Sequence, residues 1–163
     1  PQKGLLFSGD IASNVRYGRE EATDEELAEA VQIAQAKTFI DAFPDQMKTP
    51  IAQGGTNVSG GQKQRISIAR ALAAKAPVYV FDDSFSALDF KTDAALRHAL
   101  SAYTKESAVL IVAQRVSTIM NAEQIIVLDE GKIVGKGTHQ ELLRTCKTYL
   151  EIAQSQLSEE ELA

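Results

Sequence analysis

The run Asn57-Val58-Ser59-Gly60-Gly61-Gln62-Lys63-Gln64-Arg65 constrains this chain more than any other stretch, because it sets a serine and two glycines directly ahead of a helical pattern. Ser59 at that position is an N-cap, the glycines let an anion approach the backbone with no Cβ in the way, and the helix dipole adds positive potential. The same residues also serve as a plain cap, so by themselves they leave phosphate binding and simple capping open.

The rest of the chain divides into a helical first half and a second half that alternates strand and helix. Thr23-Asp24-Glu25-Glu26 has capping-box form, and the helix that follows sets Leu27, Ala30, Val31 and Ala34 on one face. A loop with Pro and Gly, Pro44 to Gly55, leads to the helix expected from about Gly60 to Ala74. Beyond Pro77, Val78 to Phe81 reads as a continuous apolar strand of the kind buried on both faces, and Leu96, Ala99, Leu100 and Tyr103 mark a helix. Ala108 to Val112 and Gln124 to Leu128 read as further strands, with a short helix near Val116 to Met120 between them. Asp129-Glu130-Gly131-Lys132 is a hairpin turn into Ile133 to Gly135, and Thr138 with Glu141 forms a second capping box. The acidic end, Ser158 to Ala163, is expected to fray.

Composition removes several function classes. The length of 163 residues with 44% hydrophobic content supports one domain with a core. A net charge of -5 with scattered basic residues argues against nucleic acid as a partner. The single cysteine, Cys146, excludes an internal disulfide, and no apolar run approaches the roughly 18 residues of a membrane helix. His98 and His139 have no neighbours at metal-ligand spacing.

The order of four motifs resembles the nucleotide-binding domain of an ABC transporter. Val58-Ser59-Gly60-Gly61-Gln62 is similar to the signature motif, with Val58 where leucine is usual; Val78-Tyr79-Val80-Phe81-Asp82 resembles the Walker B strand; Ser86-Ala87-Leu88-Asp89 resembles the D-loop; and Ala113-Gln114-Arg115-Val116 resembles the switch-histidine loop. The resemblance covers nearly the whole chain and implies an α/β fold: a helical, signature-bearing part over about 10–75, then a mainly parallel sheet with flanking helices over about 76–163. It also implies that the chain starts at the Q-loop with Pro1-Gln2, since no Gly-x-x-x-x-Gly-Lys-Ser/Thr is present. The Walker A part of the P-loop NTPase fold is then missing, and the 1–163 chain by itself is expected to be inactive.

The resemblance further implies ATP and Mg2+ as cofactors. Asp82 would orient the metal and Gln2 would supply a second oxygen; a helix cap or salt bridge is the plain alternative for Asp82, and a solvated polar residue for Gln2. Ser59, Gly60 and Gly61 would contact nucleotide across a dimer, and Gln62 and Asp89 are further nucleotide-binding candidates. The positions of the catalytic groups depart from the family's pattern: Asp83 stands where glutamate is usual and Gln114 where the switch histidine is usual. Aspartate is one methylene shorter, and a displacement of roughly an ångström lowers rate on the order of a hundredfold. Glutamine cannot carry positive charge toward a developing anion. Two such changes beside an intact signature imply one degenerate site in a heterodimeric, multidrug-type exporter.

Thr49 to Gly55 resembles the exporter loop that precedes the signature, with Ala52 and Gln53 as substitutions and an ordinary glycine loop as the alternative reading. Leu5, Leu6, Phe7 and Ile11 lie where the family docks the coupling helices of its transmembrane domain, although core packing suits Leu5 and Leu6 better. Lys63 and Arg65 are expected on an exposed helix face. The implied location is the cytoplasmic face of the cell membrane. The competing classes are a soluble ABC-type ATPase acting as a mechanical switch in translation or chromosome maintenance, and a binding module without turnover. The implied partner strand for Ala108 to Val112 and Gln124 to Leu128 is missing, so a gap in the sheet is expected there.

Overall fold

Local capping chemistry sets most helix starts in the computed structural model, which describes residues 2–158; Pro1 and residues 159–163, most of the acidic end, lie outside it. Asp10, Thr23, Ser59 and Thr138 each accept from the backbone N–H three residues on, and Ser13, Glu26, Gln62 and Glu141 answer by accepting from the cap's own N–H. These boxes open helices α1 (Ile11–Arg16), α2 (Asp24–Ile33), α4 (Gly60–Ala73) and α7 (His139–Thr145). Helix α3 (Lys37–Asp41) follows α2 after Gln35, a left-handed residue.

Strand β1 (Gly9–Asp10) pairs antiparallel with β2 (Pro50–Ile51), and 3-10 turns at Gln46–Lys48 and Gln53–Gly55 flank β2. Strand β3 (Val78–Asp82) runs parallel to β4 (Ala108–Val112), joined through α5 (Phe90–Tyr103). Then come α6 (Val116–Ile119), β5 (Ile125–Asp129), β6 (Lys132–Gly137), α7 and α8 (Lys147–Gln156). Strands β5 and β6 form an antiparallel hairpin whose two-residue turn, Glu130-Gly131, is left-handed at both positions as a type I′ turn requires. The described strands make three two-stranded sheets, of which β3–β4 alone is parallel. No ladder joins β4 to β5 among the described residues, where the sequence leads one to expect a gap.

The chain forms two compact units, one up to Val112 and one from Ala113. The first has a core in which Leu27, Ala30, Val31 and Ala34 of the α2 region meet Ile66, Ala69 and Leu72 of α4 and the aromatic rings of Tyr79, Phe81 and Phe85. The second has its own core of Val116, Ile125, Val127, Leu142, Cys146, Tyr149 and Ala153.

One expectation fails. Strand β3 is buried on one face only: Tyr79 and Phe81 are covered, while Val78 is 56% and Val80 59% exposed. In the parallel register these residues stand beside Ala108 and Leu110, with Asp82 beside Val112, so one face of the pair is an apolar surface that ends in Asp82. A continuous apolar run records what a strand tolerates on both faces; the described residues cover one of them.

Candidate functional site

The start of α4 and the turn after β3 form the best-defined polar assembly of the first unit. Ser59 Oγ accepts from Gln62 N at 3.2 Å and Gln62 Oε1 accepts from Ser59 N at 2.9 Å, so both candidate side chains are engaged in capping. The glycines differ. Gly60 is exposed, and a Cβ there would meet nothing within 4 Å, which leaves its backbone open to an approaching anion. A Cβ on Gly61 would lie 3.2 Å from the Ala87 carbonyl, so its glycine serves close packing against the turn that carries Asp83.

Asp83 has φ 48°, the left-handed region, uncommon for a residue with a side chain. Its N–H donates to Val112 O at 2.9 Å, and its carbonyl accepts from Ser86 Oγ at 2.9 Å. Asp89 caps α5: Thr92 N donates to Oδ1 at 2.9 Å and Thr92 Oγ1 to Oδ2 at 2.7 Å, which holds its carboxyl below the ordinary aspartate value.

Asp82 is exposed on the open sheet face, so its charge is solvated and needs no counter-charge from the fold. Its carboxylate still suits Mg2+, a hard cation held by one or two carboxylates together with water and phosphate oxygens. Gln2 is exposed and offers an amide oxygen. Among the described residues no group of three or more His, Cys, Asp and Glu is placed to hold a metal ion by itself. Gln114 belongs to the second unit, where Gln156 brackets its loop: Gln156 Nε2 donates to Gln114 O at 2.9 Å and Val116 N donates to Gln156 Oε1 at 2.9 Å.

Arg65 corrects another expectation. It is half-buried: its Nε donates to Gly61 O at 3.2 Å, its Nη1 to Gln35 O at 2.8 Å, and its guanidinium lies 4.6 Å from the centroid of Phe39. Burial lowers its pKa and the Asp89 charge works the other way. Arg65 therefore braces the first turn of α4 against the α2–α3 junction.

The apolar set near the N-terminus splits. Leu6 and Ile11 are core, whereas Leu5 is 55% and Phe7 40% exposed, so Leu5 does not follow the expected core packing. The Phe7 ring lies 4.7 Å from that of Tyr17, tilted by 43°, and Tyr17 is also exposed. Beneath them Arg70 donates to Leu5 O, Asn14 O and Asn14 Oδ1, each at 2.8 Å. Between Thr49 and Gly55 the chain forms β2 and a 3-10 turn, with Asn57 bridging Pro50 O and Ala52 N and Gly54 N donating to Leu6 O at 3.0 Å.

Sequence reading missed Gln64, Asn14 and Asp93, all buried polar residues. Gln64 carried a signal, because it shares a helical stripe with Ile68 and Leu72 at four-residue spacing. Asp93 and Arg97 are a four-residue ion pair at 3.2 Å, also legible by spacing.

Residues 4–86 match the family described as ABC transporter. An uncharacterized ABC transporter ATP-binding protein of Mycobacterium tuberculosis is 47% identical over 159 residues, 96% of this chain and 27% of that protein. The ATP-dependent lipid A-core flippase of Chromobacterium violaceum is 40% identical over 158 residues, 97% of this chain and 27% of the flippase. Among solved structures, a bacterial Atm1-family ABC exporter with ATP bound superposes with a TM-score of 0.92 at 34% identity, covering 98% of this chain and 28% of that one. The chain thus spans about a quarter of the length of these relatives (27% for both proteins). With half its residues matched to the family and its fold shared almost end to end, this chain belongs to the ABC transporter family and has the α/β fold of its ATP-binding domain.

Proposed function

We propose that the chain is part of the ATP-binding domain of an exporter subunit, on the cytoplasmic face of the cell membrane, that couples ATP binding and hydrolysis to export of a small molecule. In this reading 1–163 is a partial ATPase domain, its signature part at about 10–75 and its Walker B part at about 76–163. The observation that carries the reading is the start of α4: a fully formed cap at Ser59 with Gly60 open to solvent, beside a turn whose catalytic position holds Asp83. The exporter and flippase names of its relatives support the transport class.

Ser59, Gly60, Gly61 and Gln62 would contact nucleotide bound mainly by a second, different subunit. Gln2 and Asp82 would hold Mg2+ at this chain's own site, beside Asp83; Asp89 is a further nucleotide contact, and Gln114 takes the position of the switch histidine. Bound Mg2+ supplies charge neutralisation on the phosphates. This chain's residues then divide the work. The α4 start donates backbone N–H groups, while the short Asp83 carboxylate and the neutral Gln114 leave its own site weak. Leu5, Phe7 and Tyr17 form an exposed apolar patch suited to the coupling helices of the transmembrane domain.

No helix among the described residues is long and apolar enough to cross a membrane, so this reading places the membrane-spanning part elsewhere in the subunit. ATP turnover of the full-length transporter tests the division: Asp83→Asn leaves it within about twofold, whereas Ser59→Ala lowers it on the order of a hundredfold. Equal losses from the two substitutions would end the asymmetric model.

A further inference from the structure

Gln64 is 6% exposed, and both ends of its amide reach the turn after β3. Its Oε1 accepts from Ala87 N at 3.2 Å, and its Nε2 donates to Asp83 O at 3.4 Å. One side chain of α4 thus spans the turn from its first residue to its last. The turn needs such a tie, since Asp83 is held at φ 48°. The contact also runs the other way: the Ala87 carbonyl oxygen would lie 3.2 Å from a Cβ on Gly61, a tight approach, so the turn backs the first turn of α4 directly. Helix start and turn are interlocked through one amide and one glycine.

We propose that Gln64 is a positioning residue whose amide ties the Asp83–Ala87 turn to α4, so that the turn buttresses Ser59 and Gly60 and presents them to nucleotide in one fixed orientation. The proposal rests on the reading of Ser59 and Gly60 as nucleotide contacts. It gives the turn a role separate from acid–base chemistry: Gln64 engages the backbone carbonyl of Asp83 and the N–H of Ala87, and neither atom depends on the Asp83 carboxylate. A buttress therefore survives in a site whose catalytic carboxylate is shortened, and the turn keeps its value to the chain after its own chemistry is lost.

The test uses the full-length transporter and two variants. Gln64→Met keeps length and volume and removes both hydrogen bonds; Gln64→Glu keeps an acceptor for Ala87 N and removes the donor to Asp83 O. The expected result for Gln64→Met is a kcat about tenfold lower with the KM for ATP within about twofold. Exchange of the Ala87 amide, which loses its acceptor, speeds up by about tenfold or more in that variant. Gln64→Glu retains Ala87 protection and loses about threefold in kcat.

The proposal is overturned if Ser59→Ala cripples turnover while both Gln64 variants turn over at the wild-type rate, or if Ala87 exchanges equally fast in wild type and Gln64→Met. If Ser59→Ala itself turns over normally, the nucleotide-contact reading fails instead, and Ala87 exchange still decides whether the tie exists. Should Gln64→Met not fold, a wild-type kcat in Gln64→Glu overturns the proposal.

Discussion

Replacing Gly18 by alanine tests how tightly α1 is seated on α4. A Cβ built on Gly18 falls 2.0 Å from the carbonyl oxygen of Arg70 and 3.1 Å from its carbonyl carbon. Ordinary carbon–oxygen contacts close at about 3.3 Å, so the two backbones must part by roughly 1.3 Å. Both atoms belong to backbone near helix ends, and neither can swing aside as a side-chain tip would. The displacement also strains the hydrogen bonds by which Arg70 holds Asn14 and Leu5, each 2.8 Å long. Overpacking of a close-packed interface costs about 1–3 kcal/mol, and this contact lies at the severe end. A loss of about 3 kcal/mol lowers the melting temperature by about 6–12 °C for a chain of this size. Two other glycines serve as controls with different physics. Gly54→Ala meets no atom within 4 Å but sits at φ 70°, a conformational penalty of about 1 kcal/mol. Gly60→Ala meets nothing and has no positive φ, so its stability is unchanged or slightly raised. Thermal and urea unfolding followed by far-UV circular dichroism should rank the losses Gly18 first, Gly54 second and Gly60 last. Gly18→Ala melting within about 1 °C of wild type would refute the reasoning.

Two further outcomes are expected. Glu26 is held to a pKa of about 2, chiefly by Arg19, then by Lys75 and the Thr23 N–H, so its contribution is present above the ordinary value of 4.5 and is lost as pH falls from there through about 2; Glu26→Gln should flatten that acid limb of a pH–stability curve, and an unaltered limb would contradict the assignment. The open face of β3–β4 should drive self-association of the 163-residue chain, so Val80→Lys with Leu110→Lys should shift light-scattering mass toward the monomer, while unchanged mass would show that this face is not the sticky one.

What could be read in the sequence was local. The Thr23–Glu26 and Thr138–Glu141 boxes, the Asp129–Lys132 turn and the bounds of β4 each depend on residues a few positions apart, and the folded chain has them where the spacing puts them. The candidate site was legible as residue types in order, but its geometry was not. Gln64 and Ala87 meet through a fold-level contact that no local pattern encodes, and Arg65 reads as a solvated helix residue until Phe39 and Gln35 come to rest beside it. The open face of β3 was misread for the opposite reason: an apolar run reports a strand's preferences, and whether anything covers it is decided by other segments.

Cys146 gives the second unit a clock of its own. It is the chain's only thiol, lies 6% exposed in that unit's core, and a Cβ on Gly135 would fall 2.7 Å from its sulfur, so no reagent reaches it without opening the hairpin–helix packing. Alkylation rate then measures the opening of the packing around Cys146 in the second unit, in a chain with no tryptophan to report on it. A single mass-spectrometric trace would follow the opening around that thiol, which a melting curve averages with the rest of the chain.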